Sequence, residues 1–371
     1  MTEDPYRKLA ERLDALPNGF PPSEDGAELR LLAKLFSPEE AALAAELRLT
    51  RETPQQLAER IGGDPKELRN HLKSMAKRGL VNIGRVGRRL GYGLLPFAIG
   101  IYEMQFDKID AELAQLFEDY YQSLGDALAA SPPLQRVIPV GESVRVDIEV
   151  RPYESAAEIV ANAKAWGVQD CICRTQKALV GDPCDHPVDV CMIMSQTPGA
   201  FDRHESIQAL TQEEAMATLR RAADAGLVAC VGNNQEGLWH IHEGLWEDHQ
   251  GLWYICNCCT CSCGLLRAIA DLGIQNVVAR SAFVCQVDEA LCIACGLCVD
   301  RCQFDALELE EVVRVDPTGC VGCGLCVPVC PEEALALVRR PDDEVEVPPE
   351  TEREWLEQRA AARGLNLSEV L

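Results

Sequence analysis

The sequence predicts a mixed α+β chain of several domains: a helical N-terminal domain with one short strand, a central irregular cysteine-rich α+β domain, and a C-terminal domain of short strands and helices built on a cysteine repeat. Three observations predict it. Helix-capping signals recur through the first hundred residues. All 19 cysteines lie beyond residue 170. Eight of them form an internal repeat near the C-terminus. With 371 residues, 47% hydrophobic and 25% charged, the chain suits two or three domains that each bury a core, and it is not a disordered polymer.

Charge and cysteine usage narrow the function classes. The formal net charge is -24, from 59 acidic against 35 basic residues. Such a chain repels nucleic acid and anionic lipid except where a local basic patch overrides the field. The N-terminal MTEDPYRKLAERLD has no apolar core of a secretory signal. The longest apolar stretch, Leu94 to Tyr102, is far short of the roughly 20 residues of a spanning helix. The expectation is a cytoplasmic protein with no membrane contact. In that reducing compartment clustered thiols bind metal or do redox work.

Residues 1–27, punctuated by Pro17, Pro21, Pro22 and Gly26, read as a leader with one short helix. The next unit is 28–102. Ser37-Pro38-Glu39-Glu40 starts a helix with an N-cap, a first-turn proline and acids at the positive end of the dipole. Thr53-Pro54 opens a second helix that stops at Gly62-Gly63, and Asp64-Pro65 opens a third that ends at Gly79. In the third, Leu68, Leu72 and Met75 recur at helical spacing, so Lys66, Arg69, Asn70, Lys73 and Lys77 point outward. Val81-Asn82-Ile83 reads as a short strand, followed by a glycine-punctuated loop carrying Arg85, Arg88 and Arg89. This order resembles a bacterial winged helix-turn-helix, with 65–78 as recognition helix and 81–94 as wing. The resemblance implies DNA contacts from Arg69, Lys73, Lys77, Arg85, Arg88 and Arg89. Between Asp64 and Leu90 eight Lys/Arg face two Asp/Glu, a local +6.

Residues 103–133 form a link: 103–129 read as one amphipathic helix, ended by Ser131-Pro132-Pro133 and suited to packing on the first domain or to pairing in a homodimer. The cysteine-rich domain spans 134–282. It opens on an extended segment with Ile138, Val140, Val144, Val146, Ile148 and Val150 on alternate positions. Tyr153 to Trp166 read as helical, and Thr211 caps a helix that ends at Gly226. Residues 341–371 are an acidic tail with a helix over 352–363.

The most specific signal is the repeat. Cys292-x2-Cys295-x2-Cys298-x3-Cys302 returns 28 positions later as Cys320-x2-Cys323-x2-Cys326-x3-Cys330-Pro331. Val287-Asp288 answers Val315-Asp316, and Asp305-Ala306-Leu307 answers Glu333-Ala334-Leu335. Three thiolates spaced by two residues wrap one corner of an iron–sulfur cube, and the fourth reaches the other cube. Here residues 283–340 resemble the bacterial two-cluster ferredoxin domain. The resemblance implies two [4Fe-4S] clusters: cluster one on Cys292, Cys295, Cys298 and Cys330, and cluster two on Cys320, Cys323, Cys326 and Cys302. Gln303 departs from the pattern, standing where a proline usually follows the fourth cysteine. Structural zinc, which uses four ligands in two separated pairs, fits two runs of four poorly. From Val287 to Leu371 there are 19 acidic and 7 basic residues. That field disfavours the reduced cluster, lowers its potential and steers a basic partner.

Nine further thiols lie upstream: Cys171, Cys173, Cys184 and Cys191, then Cys256, Cys258, Cys259, Cys261 and Cys263. Nine exceed any packing need, whereas Cys230 and Cys285 read as solitary buried residues. A subset is expected to hold a third iron–sulfur cluster or zinc. His186 is a candidate ligand more simply read as a structural hydrogen-bonder, and His240, His242 and His249 show no ligand spacing. Adjacent Cys258 and Cys259 are awkward as joint ligands of one centre. The arrangement resembles ferredoxin-domain proteins of anaerobic bacteria, which implies an anaerobic host.

No G-x-G-x-x-G follows a strand and no P-loop is present, so no nucleotide site is signalled. The function expected is iron–sulfur electron transfer to a redox partner protein, by a non-enzymatic carrier or an oxidoreductase component. Two alternatives stand: a redox-sensing regulator that binds DNA through the winged helix, and an oxidoreductase subunit with its active centre in the middle domain, for which no acid–base constellation speaks.

Overall fold

The computed structural model describes residues 4–140, 151–236, 238–239 and 252–371. Five helices open the chain: α1 (Pro5–Asp14), α2 (Ala27–Leu35), α3 (Pro38–Ala44), α4 (Pro54–Ile61) and α5 (Pro65–Lys77). Their starts are those the caps predict. Ser37 with Glu40 and Thr53 with Gln56 form capping boxes, and Asp64 accepts from the Lys66 and Glu67 N–H groups. Leu72 and Met75 are buried while Lys66, Arg69, Asn70, Lys73 and Lys77 are exposed. The Arg85–Arg89 segment extends the predicted strand: β1 (Val81–Val86) pairs antiparallel with β2 (Arg89–Leu94), Val81 opposite Leu94.

The single amphipathic helix expected over 103–129 is broken. A 3-10 turn covers Glu103–Gln105, then α6 (Ala111–Tyr121), a second 3-10 turn, and α7 (Gly125–Ala129). Asp110 caps α6 through the Leu113 N–H, which starts a new helix where the pattern had predicted continuity. Its buried Phe117, Tyr120 and Tyr121 join Phe20 and Phe97 in one aromatic cluster.

The middle of the chain is a mixed sheet with helices on its flanks. In chain order it comprises β3 (Gln135–Val137), α8 (Ala156–Asn162), β4 (Ala165–Gln169), α9 (Ile172–Leu179), β5 (Cys191–Ser195), β6 (Gln208–Leu210), α10 (Gln212–Asp224), β7 (Val228–Gly232), β8 (Leu238–Trp239), β9 (Leu252–Cys258), α11 (Ala268–Asp271) and β10 (Val278–Ala279). The strand order is β10-β3-β7-β9-β5-β4-β6, with β8 beside β9. All neighbours are antiparallel except β10 and β3. The helix expected over 153–166 stops at Asn162, and Trp166 lies in β4. The extended segment through Val144, Val146, Ile148 and Val150 lies outside the described residues, as do His240, His242 and His249.

The C-terminal unit has β11 (Phe283–Val287), α12 (Leu297–Arg301), β12 (Leu307–Leu309), β13 (Val313–Val315) and β14 (Leu335–Arg339), followed by α13 (Glu352–Ala362). β11 pairs with β14, and β12 with β13. Helix α13 docks on the N-terminal helices, so the two ends of the chain share one core. Trp355 is buried and its indole N–H donates to the Pro133 carbonyl at 3.0 Å. Arg359, fully buried, donates to the Pro17 carbonyl at 2.9 Å and also to those of Ala127, Ala130 and Pro132. Its charge is thereby surrounded by carbonyl dipoles, as a buried guanidinium requires.

Candidate metal centres

The repeat in the sequence is a repeat in the backbone. Cys292 and Cys320 each donate their N–H to an aspartate carbonyl four residues back, Asp288 and Asp316. Asp305 and Glu333, 28 apart, both sit at φ 51°, and Gly296 and Gly324 at 81° and 80°. The two halves also bond across each other: Asp288 N–H to the Ala334 carbonyl at 2.8 Å, and Asp316 N–H to the Ala306 carbonyl at 2.9 Å. This exchange carries the last cysteine of each run to the other half. One cleft is lined by Cys292, Cys295, Cys298 and Cys330, the other by Cys302, Cys320, Cys323 and Cys326. Each measures about 20 Å³.

These clefts suit iron–sulfur clusters. The donors are all soft thiols. The Ala334 N–H approaches Cys330 Sγ at 3.3 Å, and the Ala306 N–H plays the same part at Cys302. Burial pushes Cys298 up to about 11 and also raises Cys302, Cys320 and Cys323. A thiolate here is costly until a cation replaces its proton. Gly322 shows how tight the second half is. At φ 71° it lies so close to β11 that an added Cβ would fall 2.1 Å from the Phe283 carbonyl oxygen. Cys285, read as solitary, lines the second cleft, with its sulfur 3.6 Å from Cys326 Sγ.

The nine central thiols divide into two groups. Cys171, at the N-cap of α9, and Cys173 on its first turn face Cys191 on β5, Cys256 and Cys258 on β9, and Cys263 beyond it across a cavity of about 80 Å³, whose lining Cys259 also joins. Residues two apart on a strand share a face, which puts Cys256 and Cys258 together. The opposite wall is apolar, with Ile99, Phe117, Leu124 and Leu128. Neighbouring thiols set the acidities. Cys173 and burial push Cys171 up, whereas Cys173 and Cys258 hold Cys263 down at about 6. Cys230, also read as solitary, adjoins Cys258 and helps to raise it. Burial raises the Glu103 carboxyl, on the cavity wall, to about 7.

Arg174 was not singled out by sequence reasoning, although it directly follows the Cys-Ile-Cys run. It is 3% exposed and donates to the Asn257 carbonyl, while its Nε and Nη1 find no oxygen or nitrogen partner. Burial works against its charge, but the thiols of Cys171, Cys259 and Cys258 outweigh that and keep it a cation. Its unused N–H groups suit thiolate or sulfide acceptors, so the cavity fits a thiolate-bound cluster.

The second group is Cys184, His186, Cys259 and Cys261. Their ligand atoms all lie within 4.8 Å of one another, and among the described residues no other such group of three or more occurs. Cys259 thus belongs to this compact group and also lines the cavity beside Cys258.

Gln303 joins the two cysteine regions. The Thr260 N–H donates to Gln303 Oε1 at 2.7 Å, and Gln303 Nε2 donates to the Gly226 carbonyl. Arg301 adds bonds to the carbonyls of Ala223 and Asp224 at 2.7 and 2.6 Å. A proline at 303 would supply none of these side-chain bonds. At the other end Cys295 is exposed, amid exposed Leu291, Ile293 and Leu297.

Arg69, Lys73, Lys77, Arg85, Arg88 and Arg89 are exposed on α5 and the hairpin. A recess between them is lined by Thr53, Gln55, Lys66, Arg69, Arg89 and Tyr92.

Residues 282–337 match the family model of the 4Fe-4S dicluster domain. The match supports a C-terminal ferredoxin-like iron–sulfur domain and leaves residues 1–281 outside it. No curated protein and no solved structure matches the chain. No helix among the described residues is long and apolar enough to cross a membrane.

Proposed function

We propose that the protein is an iron–sulfur electron-transfer protein with two [4Fe-4S] clusters, one on Cys292, Cys295, Cys298 and Cys330 and one on Cys320, Cys323, Cys326 and Cys302. A further iron–sulfur centre is held by a subset of Cys171, Cys173, Cys191, Cys256, Cys258 and Cys263. Each cube supplies a one-electron couple. The observation that carries the reading is the crosswise sorting of eight cysteines into two four-thiol clefts, within the stretch that matches the dicluster domain. The protein's part is to order the centres. Gln303 and Arg301 tie the half bearing Cys302 to the central sheet. The half bearing Cys295 is left at the surface, ringed by Leu291, Ile293 and Leu297 in an acidic domain. That end suits a redox partner protein with a basic rim and an apolar centre.

The test is iron and acid-labile sulfide per chain on anaerobically purified protein, with reversible reduction by a low-potential donor. About twelve irons are expected, eight in the repeat and four in the central cavity. About eight would remove the central cluster, and near-zero iron would end the whole reading.

A second reading, DNA binding through 65–94, is favoured by the exposed basic face of α5 and the hairpin. It predicts salt-dependent binding of duplex DNA that disappears when Arg69, Lys73, Arg88 and Arg89 are replaced together. Binding that survives the replacement eliminates it.

A further inference from the structure

The compact group of four, which shares only Cys259 with the cavity lining, carries an inference beyond electron transfer. We propose that Cys184, His186, Cys259 and Cys261 bind one Zn²⁺ ion as a structural staple, distinct from the cluster sites.

Size decides between one ion and a cluster. In a tetrahedral zinc site, with Zn–S about 2.3 Å and Zn–N about 2.0–2.1 Å, donors stand about 3.5–3.8 Å apart. Here Cys261 Sγ and His186 Nδ1 are 3.7 Å apart, and all four donors fall within 4.8 Å. Around a cube each thiolate bonds a different iron, so its sulfurs stand further apart. Neither four-thiol cleft of the repeat contains three donors this close, and neither does the arc around the cavity. The sequence pattern agrees. The donors come as two short pairs, Cys184-x-His186 and Cys259-x-Cys261, separated by more than 70 residues; structural zinc also draws its ligands from separated pairs, with two to five residues within each pair rather than the one found here.

Charge and surroundings fit as well. Three thiolates and a neutral imidazole on Zn²⁺ leave a net charge of -1. Arg174, beside Cys259 and with N–H groups to spare, supplies the balancing charge. The buried Ser262 hydroxyl donates to Cys261 Sγ at 3.9 Å, a contact outside the ligand shell that orients it. Four protein donors fill the tetrahedron, which leaves no position for substrate and makes the site structural.

The staple has a mechanical role. It joins the 184–186 loop to the turn after β9. Between its two cysteine ligands lies Thr260, whose N–H reaches Gln303 next to Cys302. The ion therefore fixes both the strand that presents Cys256 and Cys258 to the cavity and the latch to the ferredoxin half.

The experiment counts zinc and iron together in the full chain, for wild type and for a Cys184→Ser/Cys261→Ser variant. Neither residue lines the cavity. One zinc per chain is expected in wild type and none in the variant, with iron content and cluster spectra unchanged. Iron lost in step with these thiols, or zinc unchanged in the variant, overturns the proposal. Should the variant fail to fold, zinc-edge X-ray absorption on wild type decides. Three sulfurs near 2.3 Å and one nitrogen near 2.0 Å support the site, and any other shell, or no zinc, overturns it. Zinc retained on a chain without iron would sink the electron-transfer reading and leave this one standing.

Discussion

The ferredoxin repeat and the central sheet both gather cysteines, but they do so by opposite means. In the repeat, the cysteines arrive in contiguous runs, each half is a copy of the other, and each cleft is about 20 Å³. In the centre, α9, β5, β9 and the turn after it each contribute thiols, no unit repeats, and the cavity is about 80 Å³ with an apolar wall. A contiguous run fixes its ligand geometry through local backbone turns. A dispersed set depends on the whole sheet being in register. The first should tolerate changes elsewhere in the chain, and the second should not.

The sharpest way to break the comparison is Cys191→Ser. Cys191 pairs through β5 with Gln169, and neighbouring Met192 faces Ile255 on β9. The expected outcome is loss of the central centre, about four irons per chain, with the repeat's eight retained. Metal analysis and electron paramagnetic resonance read it, and equal loss from the repeat would erase the distinction drawn here.

Next comes Gly322→Ala. A Cβ there meets the Phe283 carbonyl at 2.1 Å and Ser281 Oγ at 2.2 Å. Destabilisation of about 2–4 kcal/mol is expected, from the clash and the positive φ together. Denaturant midpoints of the holoprotein would show it, together with preferential loss of the cluster whose cleft Gly322 lines.

Gln303→Pro makes the first copy resemble the second and removes three hydrogen bonds between the regions. A cost of about 1–3 kcal/mol is expected, with both repeat clusters still assembled. A variant as stable as wild type would mean the latch contributes nothing.

The smallest effect belongs to Ala294→Gly. Ala294 sits at φ 53°, 28 positions before Gly322, and copy one tolerates a side chain there. Relief of left-handed strain and added freedom of the unfolded chain oppose each other, so the change should stay within about 1 kcal/mol. A large loss would show that the two halves are less alike than their backbones indicate.

Legibility in the sequence follows the same division. The caps at Ser37, Thr53, Asp64 and Thr211 gave the helix starts because capping is a local hydrogen bond. The repeat could be sorted into two sets of four because its spacing is local too. The break at Asp110 escaped, since the apolar pattern runs through it and one side-chain cap decides the matter. The partition of the nine central thiols was not readable. It depends on where the chain leaves β9 after Cys258 and on pairing between β5 and β9 across some sixty residues. Cys230 and Cys285 looked solitary because their neighbours are remote in sequence.

Arg359 holds carbonyls of Pro17, Ala127, Ala130 and Pro132, the first of them 342 residues upstream. On a ribosome that gap is time. At 5–20 residues per second, Pro17 waits between roughly 17 and 68 s for its partner to be made. During that wait the carbonyls of Pro17, Ala127, Ala130 and Pro132 have no Arg359 to satisfy them. The segment around Pro17 thus reaches its finished form only after all 19 cysteines have been made.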